Sequence, residues 1–422
     1  VFFFQKLTWA MMAAVLLFLP KVTKATNGYY LIGTGAKSLG MARAVVANPQ
    51  GALSMLQNPA AIACLAETTA DVGGGVFMPT RHMNGYKSDS NLYMIPSAAL
   101  AFNPKDYKGH KSHFTFGIGT HFVSGMGVDW DNNNLTRRML QKVYSRMAMM
   151  EMGIGGGHRI NNSLAIGFTP VFTCEMLEIE YGWKGGAKDV LDQAYAAGGG
   201  FDVGIVYQVN DKLKLGLAYK SKRWMENLSW DVNPDETDSG TMMIDPNAEK
   251  VRMRLDMPRQ IAFGINIKPF KPLNIEMDVR WINYHNVMNE VPITGMIDPM
   301  TGQSARTWNF HWRNQWVFAL GTVYRPSDRL TLRAGFNYGK SPVEDKDLNA
   351  NIISMAIMET HLTGNISYKI SKNLEFSLAY VHGFEHKQTY QNTSPKDICC
   401  YGNKTEIKMY QNMVALQLSL WF

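Results

Sequence analysis

The chain has 422 residues, 46% of them apolar and 11% aromatic, with 37 glycines; 42 Lys and Arg against 35 Asp and Glu give a formal charge of +7. So slight and scattered an excess excludes a nucleic-acid-binding surface, and beyond residue 25 no run of 18 apolar residues exists to cross a bilayer as a helix. Cys64, Cys174, Cys399 and Cys400 match no zinc spacing and are too few for a disulfide framework in so long a chain, so their pairing is open.

In chain order, residues 1–25 come first: Lys6, an apolar run from Leu7 to Leu19, Pro20, and a close on the small residue Ala25. A run of about a dozen falls short of the ~20 residues a spanning helix needs. The layout is that of a secretory signal peptide cut after Ala25, a buried N-terminal helix being the alternative. Export takes the chain away from ATP and NAD. That bears on the next segment, "GTGAKSLG", Gly33 to Gly40. It lacks the glycine frame of a P-loop, and Ser38 stands where a dinucleotide fingerprint has its third glycine. No cofactor is expected.

Two later stretches carry helical spacing. "NNNLTRRMLQKVYSRMAMM", from Asn132, places Leu135, Met139, Leu140, Val143, Tyr144 and Met147 on one face; "KDVLDQAYAA" does so with Val190, Leu191, Ala194 and Tyr195. Both predict helices on long loops, packed either on their own loops or forming a landing surface for a ligand, with adaptable Met in the apolar face. His110 and His113 lie in a polar loop, while His382 and His386 sit on an extended stretch, roughly 13 Å apart and too far to share an ion. No metal is expected. No spacing selects a Ser, His and acid set, so no catalytic residue is expected either.

From about residue 70 the apolar residues alternate. Ile261, Phe263, Ile265 and Ile267 share one face; so do Leu330, Leu332, Ala334, Phe336 and Tyr338; so do Leu374, Phe376, Leu378 and Tyr380. Arg333 falls on the opposite, inward face. The last strand repeats the pattern at Val414, Leu416, Leu418, Leu420 and the terminal Phe422. Short polar turns at 161–163, 210–212, 325–328 and 371–373 alternate with long connections. Strands of about ten residues with loops segregated by length are the mark of an outer-membrane barrel. A β-sandwich, the alternative, has no reason to segregate them.

The segment "GYYLIGTGAKSLGMARAVVANPQGALSMLQNPAAIACL", residues 28–65, resembles the N-terminal plug of the FadL/TodX family of outer-membrane transporters for long-chain fatty acids and aromatic hydrocarbons. It carries Gly33, Gly35 and Gly40, the Ala-rich run Ala42 to Ala47, and the triplet Asn58, Pro59 and Ala60. Ala61 replaces the family's glycine after the triplet, and Ser38 replaces an alanine. The hairpins from "PRQIAFGINIKPF" onward and "FDVGIVYQVNDKLKLGLAYKSK" resemble family hairpins too, while residues 80–200 match thinly.

The resemblance implies an all-β transmembrane antiparallel barrel of fourteen strands over residues 69–422, with a plug at 26–68 inside its lumen. It implies a non-enzymatic, monomeric passive transporter in the bacterial outer membrane, taking up hydrophobic small molecules. Its other partners would be outer-membrane lipid, lipopolysaccharide and the barrel-assembly machinery. Tyr29, Tyr30 and Leu31 would touch ligand at a mobile chain start, and Asn58, Pro59 and Ala60 would form the fixed bend of the gate. Met139, Leu140, Val143, Met147, Val190 and Leu191 would serve capture. Arg333 is the candidate carboxylate partner, with Lys220, Lys222 and Arg223 as a second basic cluster. A structural or adhesive barrel acting through its loops is the alternative, and a general porin a third reading that an apolar plug argues against.

Overall fold

The structure, a computed structural model, describes residues 27–104, 112–131, 140–183, 188–232, 243–297 and 301–422, and only the backbone of Leu140, Lys396, Cys399 and Cys400. The signal segment, His110 and Met139 lie outside the described residues. Seven wall strands occupy the first half: β1 Thr69–Met83, β2 Tyr93–Phe102, β3 Phe114–Asp131, β4 Leu140–Arg159, β5 Leu164–Trp183, β6 Lys188–Asn210 and β7 Leu213–Lys220. The second half supplies β8 Gln260–Phe270, β9 Leu273–Ile282, β10 Gln315–Tyr324, β11 Leu330–Gly339, β12 Thr360–Lys369, β13 Leu374–Gln391 and β14 Lys404–Trp421. Each pairs antiparallel with its neighbours, and β1 pairs with both β2 and β14, closing the 14-strand ring. Closing the ring removes the two free outer edges of an open sheet, which is what lipid requires of a spanning sheet.

The alternation divides the wall as its period demands. Val72, Ile118, Leu362, Leu378, Leu416 and Leu418 point outward and are exposed on the protein's surface, whereas Asp71, Glu276, Asp278, Arg333, Asn337 and Ser377 point inward and are buried. Burial is therefore inverted relative to a soluble protein. Connections 160–163, 211–212, 271–272, 325–329 and 370–373 are short at one end; 221–259, 283–314 and 340–359 are long at the other. By the usual orientation the short turns face the periplasm.

Two expectations need correction. The stretches read as loop helices are strand: described residues of the first lie in β4 and those of the second in β6. In β4 the inward set is Val143, Ser145, Met147, Met149 and Glu151, a period of two that the coincidental apolar spacing concealed. In β6 a register shift against Leu177 and Ile179 brings Leu191 and Ala194 to the same face. A bulge thus imitates helical spacing, because its extra residue shifts the parity. Nor are all strands about ten residues long. β4 and β5 have 20 residues and β6 has 23, so at ~3.3 Å per residue and a tilt near 40° they rise about 50 Å, twice the ~25 Å apolar band.

The outward parity gives a direct check. Leu416, 48% exposed in the middle of the band, should lose about 2–4 kcal/mol of folding stability on substitution by Arg. Urea titration of the protein refolded into lipid vesicles measures this. A loss below about 1 kcal/mol would take Leu416 off the lipid face.

Candidate functional site

Residues 27–65 lie inside the ring, with almost every side chain buried. Only short elements form there, the helix α1 (Gly35–Gly40) and 3-10 turns at Ala52–Leu56 and Pro59–Cys64. An irregular segment away from water must find partners for its own N–H groups. Wall carboxylates supply them. Asp278 Oδ2 accepts from the N–H of Val45 and Val46 at 2.9 and 3.1 Å, and Glu276 Oε1 from Ala47 and Asn48 at 2.6 and 3.2 Å. Asp71 accepts from Leu53 N–H at 3.1 Å, and Glu375 pairs with Lys37 at 2.7 Å.

Asn58 fixes the lower bend. Its Oδ1 caps the second 3-10 turn by accepting from Ala60 N–H at 3.1 Å, and its Nδ2 donates to Val46 O and Ile205 O at 2.7 and 3.2 Å. Pro59 at the first turn position needs no such partner. A Cβ at Gly204 of β6 would overlap the Asn58 side chain, so glycine there is what admits the bend against the wall. Gly204 lies near the short-turn end of its strand.

At the other end the segment starts under a roof made by the long loops. Tyr29 packs against Tyr30, Tyr284 and Trp312 with centroids 5.1, 5.1 and 5.6 Å apart, and Tyr284 meets Trp312 edge-on at 5.0 Å. Gly28, at φ +63, lies so close to Tyr284 that a Cβ would strike its ring. The Tyr284 hydroxyl donates to Asn27 O, Tyr30 Oη to Pro258 O at 3.4 Å, and Trp312 Nε1 to Asn351 Oδ1 at 2.6 Å. Burial raises the Tyr29 and Tyr284 hydroxyls well above their usual ionisation range, so both are neutral. Loop 340–359 is folded into the mouth, with Ile352, Ile353, Met355, Ile357 and Met358 all buried.

Two cavities adjoin here. The first is bounded by Tyr29, Tyr30, Leu31, Phe77, Arg81 and Tyr93, among others. The second is bounded by Met147, Met149, Leu177, Ile179, Leu255 and Phe310, among others. Tyr29, Met126 and Ser354 line both, so Tyr29 stands in the partition.

The wall beside the first cavity is open. β2 pairs with β3 only from Ser97–His121 down to Phe102–Phe116, although β3 continues to Asp131. At the point of separation β3 carries a register shift between Phe122 and Ser124. The freed backbone turns inward: Val123 O accepts from Leu31 N–H at 3.2 Å, and Tyr30 bridges to Ser124. Above the window Asp89 N–H donates to Asp129 O at 3.0 Å and closes it again.

Of the residues singled out from sequence, Tyr29, Tyr30, Leu31 and Met147 meet at these cavities. Val143 and Leu191 are buried in the same apolar cluster, and Val190 points outward. Asn58, Pro59 and Ala60 sit at the opposite end of the segment. Arg333 is inward, as its parity implies, but it donates to Gln50 at 2.9 Å, Asn365 at 2.8 Å and Ser367 at 2.6 Å, away from both cavities. Lys220 and Arg223 are paired with Asp202, Arg223 also with Glu151, and Lys222 with Asp256. The cation at the cavity is Arg81, which sequence reasoning missed. Its Nη2 donates to Ser90 O and to Tyr93 Oη, while its buried Nε has no partner. The signal was its inward parity just before the "NG" turn at Asn84–Gly85. Cys64 and Cys174 are free thiols.

Comparisons with known proteins agree with this architecture. A family model described as outer membrane protein transport protein (OMPP1/FadL/TodX) matches residues 17–420. Outer membrane protein P1 of Haemophilus influenzae is 26% identical over 196 residues, 46% of this chain and 39% of that protein. An outer-membrane chain of Neisseria meningitidis serogroup B is 24% identical over 238 residues, 53% of this chain and 51% of its own. The chain thus spans about half the length, or less, of these curated relatives. The crystal structure of a Pseudomonas aeruginosa FadL homologue superposes with TM-score 0.73 at 15% identity, covering 94% of this chain and 100% of that one. That of the P. putida toluene transporter TodX gives 0.73 at 17%, covering 93% and 99%. At such identity the likeness establishes the fold.

The carboxylate anchors can be tested singly. Asp278→Ala leaves the buried amides of Val45 and Val46 without acceptors, at about 1–3 kcal/mol each. Their hydrogen exchange should accelerate while that of β9 stays slow. Unchanged exchange at both amides would mean that the wall carboxylate does not hold the segment.

Proposed function

The chain belongs to the OMPP1/FadL/TodX family of outer membrane transport proteins, and from that premise we propose that it takes up hydrophobic small molecules through a plugged barrel without coupled energy. Residues 1–25 serve as the export signal, 26–68 as the plug and 69–422 as the barrel. One chain closes the ring, which supports a monomer as the working unit. The outer leaflet's polar saccharide layer is the barrier to an apolar molecule, and a series of apolar sites of moderate affinity lowers it.

The observation that carries this reading is the pair of cavities parted by Tyr29. A ligand entering from the mouth meets the Met-rich second cavity, where flexible thioether side chains adapt to varied shapes. Passage to the first cavity requires the chain start to shift, so the gate is Tyr29, Tyr30 and Leu31, with the Asn58–Ala60 bend as its fixed end. Beyond it the window between β2 and β3 offers a sideways exit, since the Leu31–Val123 bond links the gate to the separated strand. Loop 340–359 is spent on roofing the mouth, which argues against an adhesive role for it. A general porin needs an open lumen, and residues 27–65 fill this one.

Of the two ligand classes, a long-chain carboxylate suits the site better than a neutral aromatic. Arg81 offers the buried, unpartnered Nε in the first cavity, and a charge-assisted hydrogen bond to a carboxylate would satisfy it. The second cavity would hold the alkyl tail. The tyrosine and tryptophan rings are what favours the aromatic alternative.

Binding of oleate and of methyl oleate to the purified protein separates these readings. The acid should bind more tightly, and Arg81→Gln should weaken it about ten- to a hundredfold, in line with ~1.5–3 kcal/mol for a hydrogen bond to a charged group. The ester should be unaffected, and Arg333→Gln should leave the acid-to-ester ratio unchanged. Equal affinity of the parent for acid and ester would reject the carboxylate reading. For the gate, removal of residues 27–31 should leave heat-modifiable folding intact and reduce ligand uptake into proteoliposomes. Uptake equal to the parent's would put the gate elsewhere.

A further inference from the structure

The outer surface of the β1, β13 and β14 wall carries a basic patch that no transport step uses. Lys387, Lys404 and Lys408 direct their Nζ atoms to the single carboxylate of Glu406, at 2.7, 2.9 and 3.4 Å. Their side chains remain 49%, 47% and 38% exposed, so each ammonium keeps donors free. The row continues across the sheet: Lys387 lies opposite Lys408, Lys408 opposite His82, and His82 opposite Lys87 on the hairpin after β1. Residues directly opposite on neighbouring strands share a face, so all four project to the outside. Glu385, exposed in the bulge of β13 just below, Asp89, exposed two residues after Lys87, and Glu406 leave four lysines against three carboxylates.

The height of the patch selects its partner. On the same face of β14 below Lys408 come Tyr410 and Asn412, then Val414, Leu416, Leu418 and Leu420. Tyr380 of β13 stands beside them, half exposed, its hydroxyl 2.7 Å from Asn412 Oδ1. This is an apolar band topped by an aromatic girdle, as at a membrane interface. Lys408 is 12 residues above Leu420, about 30 Å along the normal at a 40° tilt, just past a ~25 Å apolar band. At that level lie the phosphates of the outer leaflet. Charges elsewhere on the upper wall are arranged differently. On β4 and β5 Lys142 is paired with Glu180 at 2.9 Å, and Arg146 lies opposite Glu178, so no excess of one sign arises.

We propose that Lys387, Lys404, Lys408 and Lys87 bind the phosphate groups of a phosphorylated, multiply acylated glycolipid of the outer leaflet, the lipid A portion of lipopolysaccharide, with its acyl chains along Tyr380, Val414 and Leu416. Glu406 holds three ammonium groups at one point; a phosphate supplies the remaining negative charge and bridges them through several oxygens. The row spans four strand positions, roughly 14 Å at ~4.8 Å per strand. That is wide enough for more than one phosphate.

Native mass spectrometry of the full chain, folded in detergent, tests this with lipid A, enzymatically dephosphorylated lipid A, phosphatidylglycerol and inorganic phosphate as probes. Lipid A should be retained at least tenfold better than any of the other three. The triple variant K387Q/K404Q/K408Q should lose that advantage, while K142Q, which removes one charge from the paired region, should keep it. Retention that ignores phosphate removal, or phosphatidylglycerol held as well as lipid A, would overturn the proposal. So would a heat-modifiable, folded triple variant that retains lipid A like the parent. Should the triple variant fail to fold, the comparison of lipid A with its dephosphorylated form on the parent decides alone.

Discussion

Everything inside this barrel depends on how buried backbone amides find acceptors. A chain segment with little helix and no sheet has been placed in a space walled off from bulk water. Each unpaired N–H there costs about 1–3 kcal/mol. Asp71, Glu276 and Asp278, projecting from strands far apart in sequence, accept those bonds. The wall therefore does for residues 27–65 what a sheet does for an ordinary strand. It also explains why so many ionisable groups face inward in a protein whose exterior is apolar.

The same constraint sets where the segment is tight and where it is loose. Toward the short-turn end, Asn58 bonds to Val46, Ile205 and Ala60 at once, and wall glycines let backbone meet backbone. Toward the mouth, most contacts pass to rings and thioethers, beside the hydroxyl bonds of Tyr284 to Asn27 O and of Tyr30 to Pro258 O. The start of the segment is joined to the wall mainly through the Val123 carbonyl, and that carbonyl is free only because β3 bulges and leaves β2. The seat of the chain start and the window beside it are thus consequences of one break in a ladder of hydrogen bonds. A perfectly regular barrel would have no acceptor to offer there.

The roof follows from composition. Loops of 20 or more residues that stayed in solvent would expose Ile352, Ile353, Ile357 and Trp312; folded into the mouth, these side chains complete an apolar cluster with Val143, Met147 and Leu191 of the tall strands. The height of β3 to β6 matters here, because their upper halves form the side of a chamber above the membrane band. What looked in sequence like separate loop helices is the wall of that chamber.

By itself the sequence determined the alternation, and with it the barrel, its lipid face and the inward position of Arg333, because a period of two needs no knowledge of neighbours. It determined the short-turn end through "NDK", "RPSD" and "SKN", and the family likeness through residues 28–65 and the later hairpins. Only the tertiary structure decided the rest. The parity of β6 changes at a bulge that exists because of its partner, so Leu191 and Ala194 imitated a helix. Whether an inward cation is free depends on what lies across the lumen: Arg333 met Gln50, Asn365 and Ser367, whereas Arg81 met a cavity. The basic row on the outer wall is also invisible along the chain, since Lys87, His82, Lys408 and Lys387 become neighbours only through strand register. Periodicity is a local property of the chain; which groups face one another across a closed ring is set by its closure.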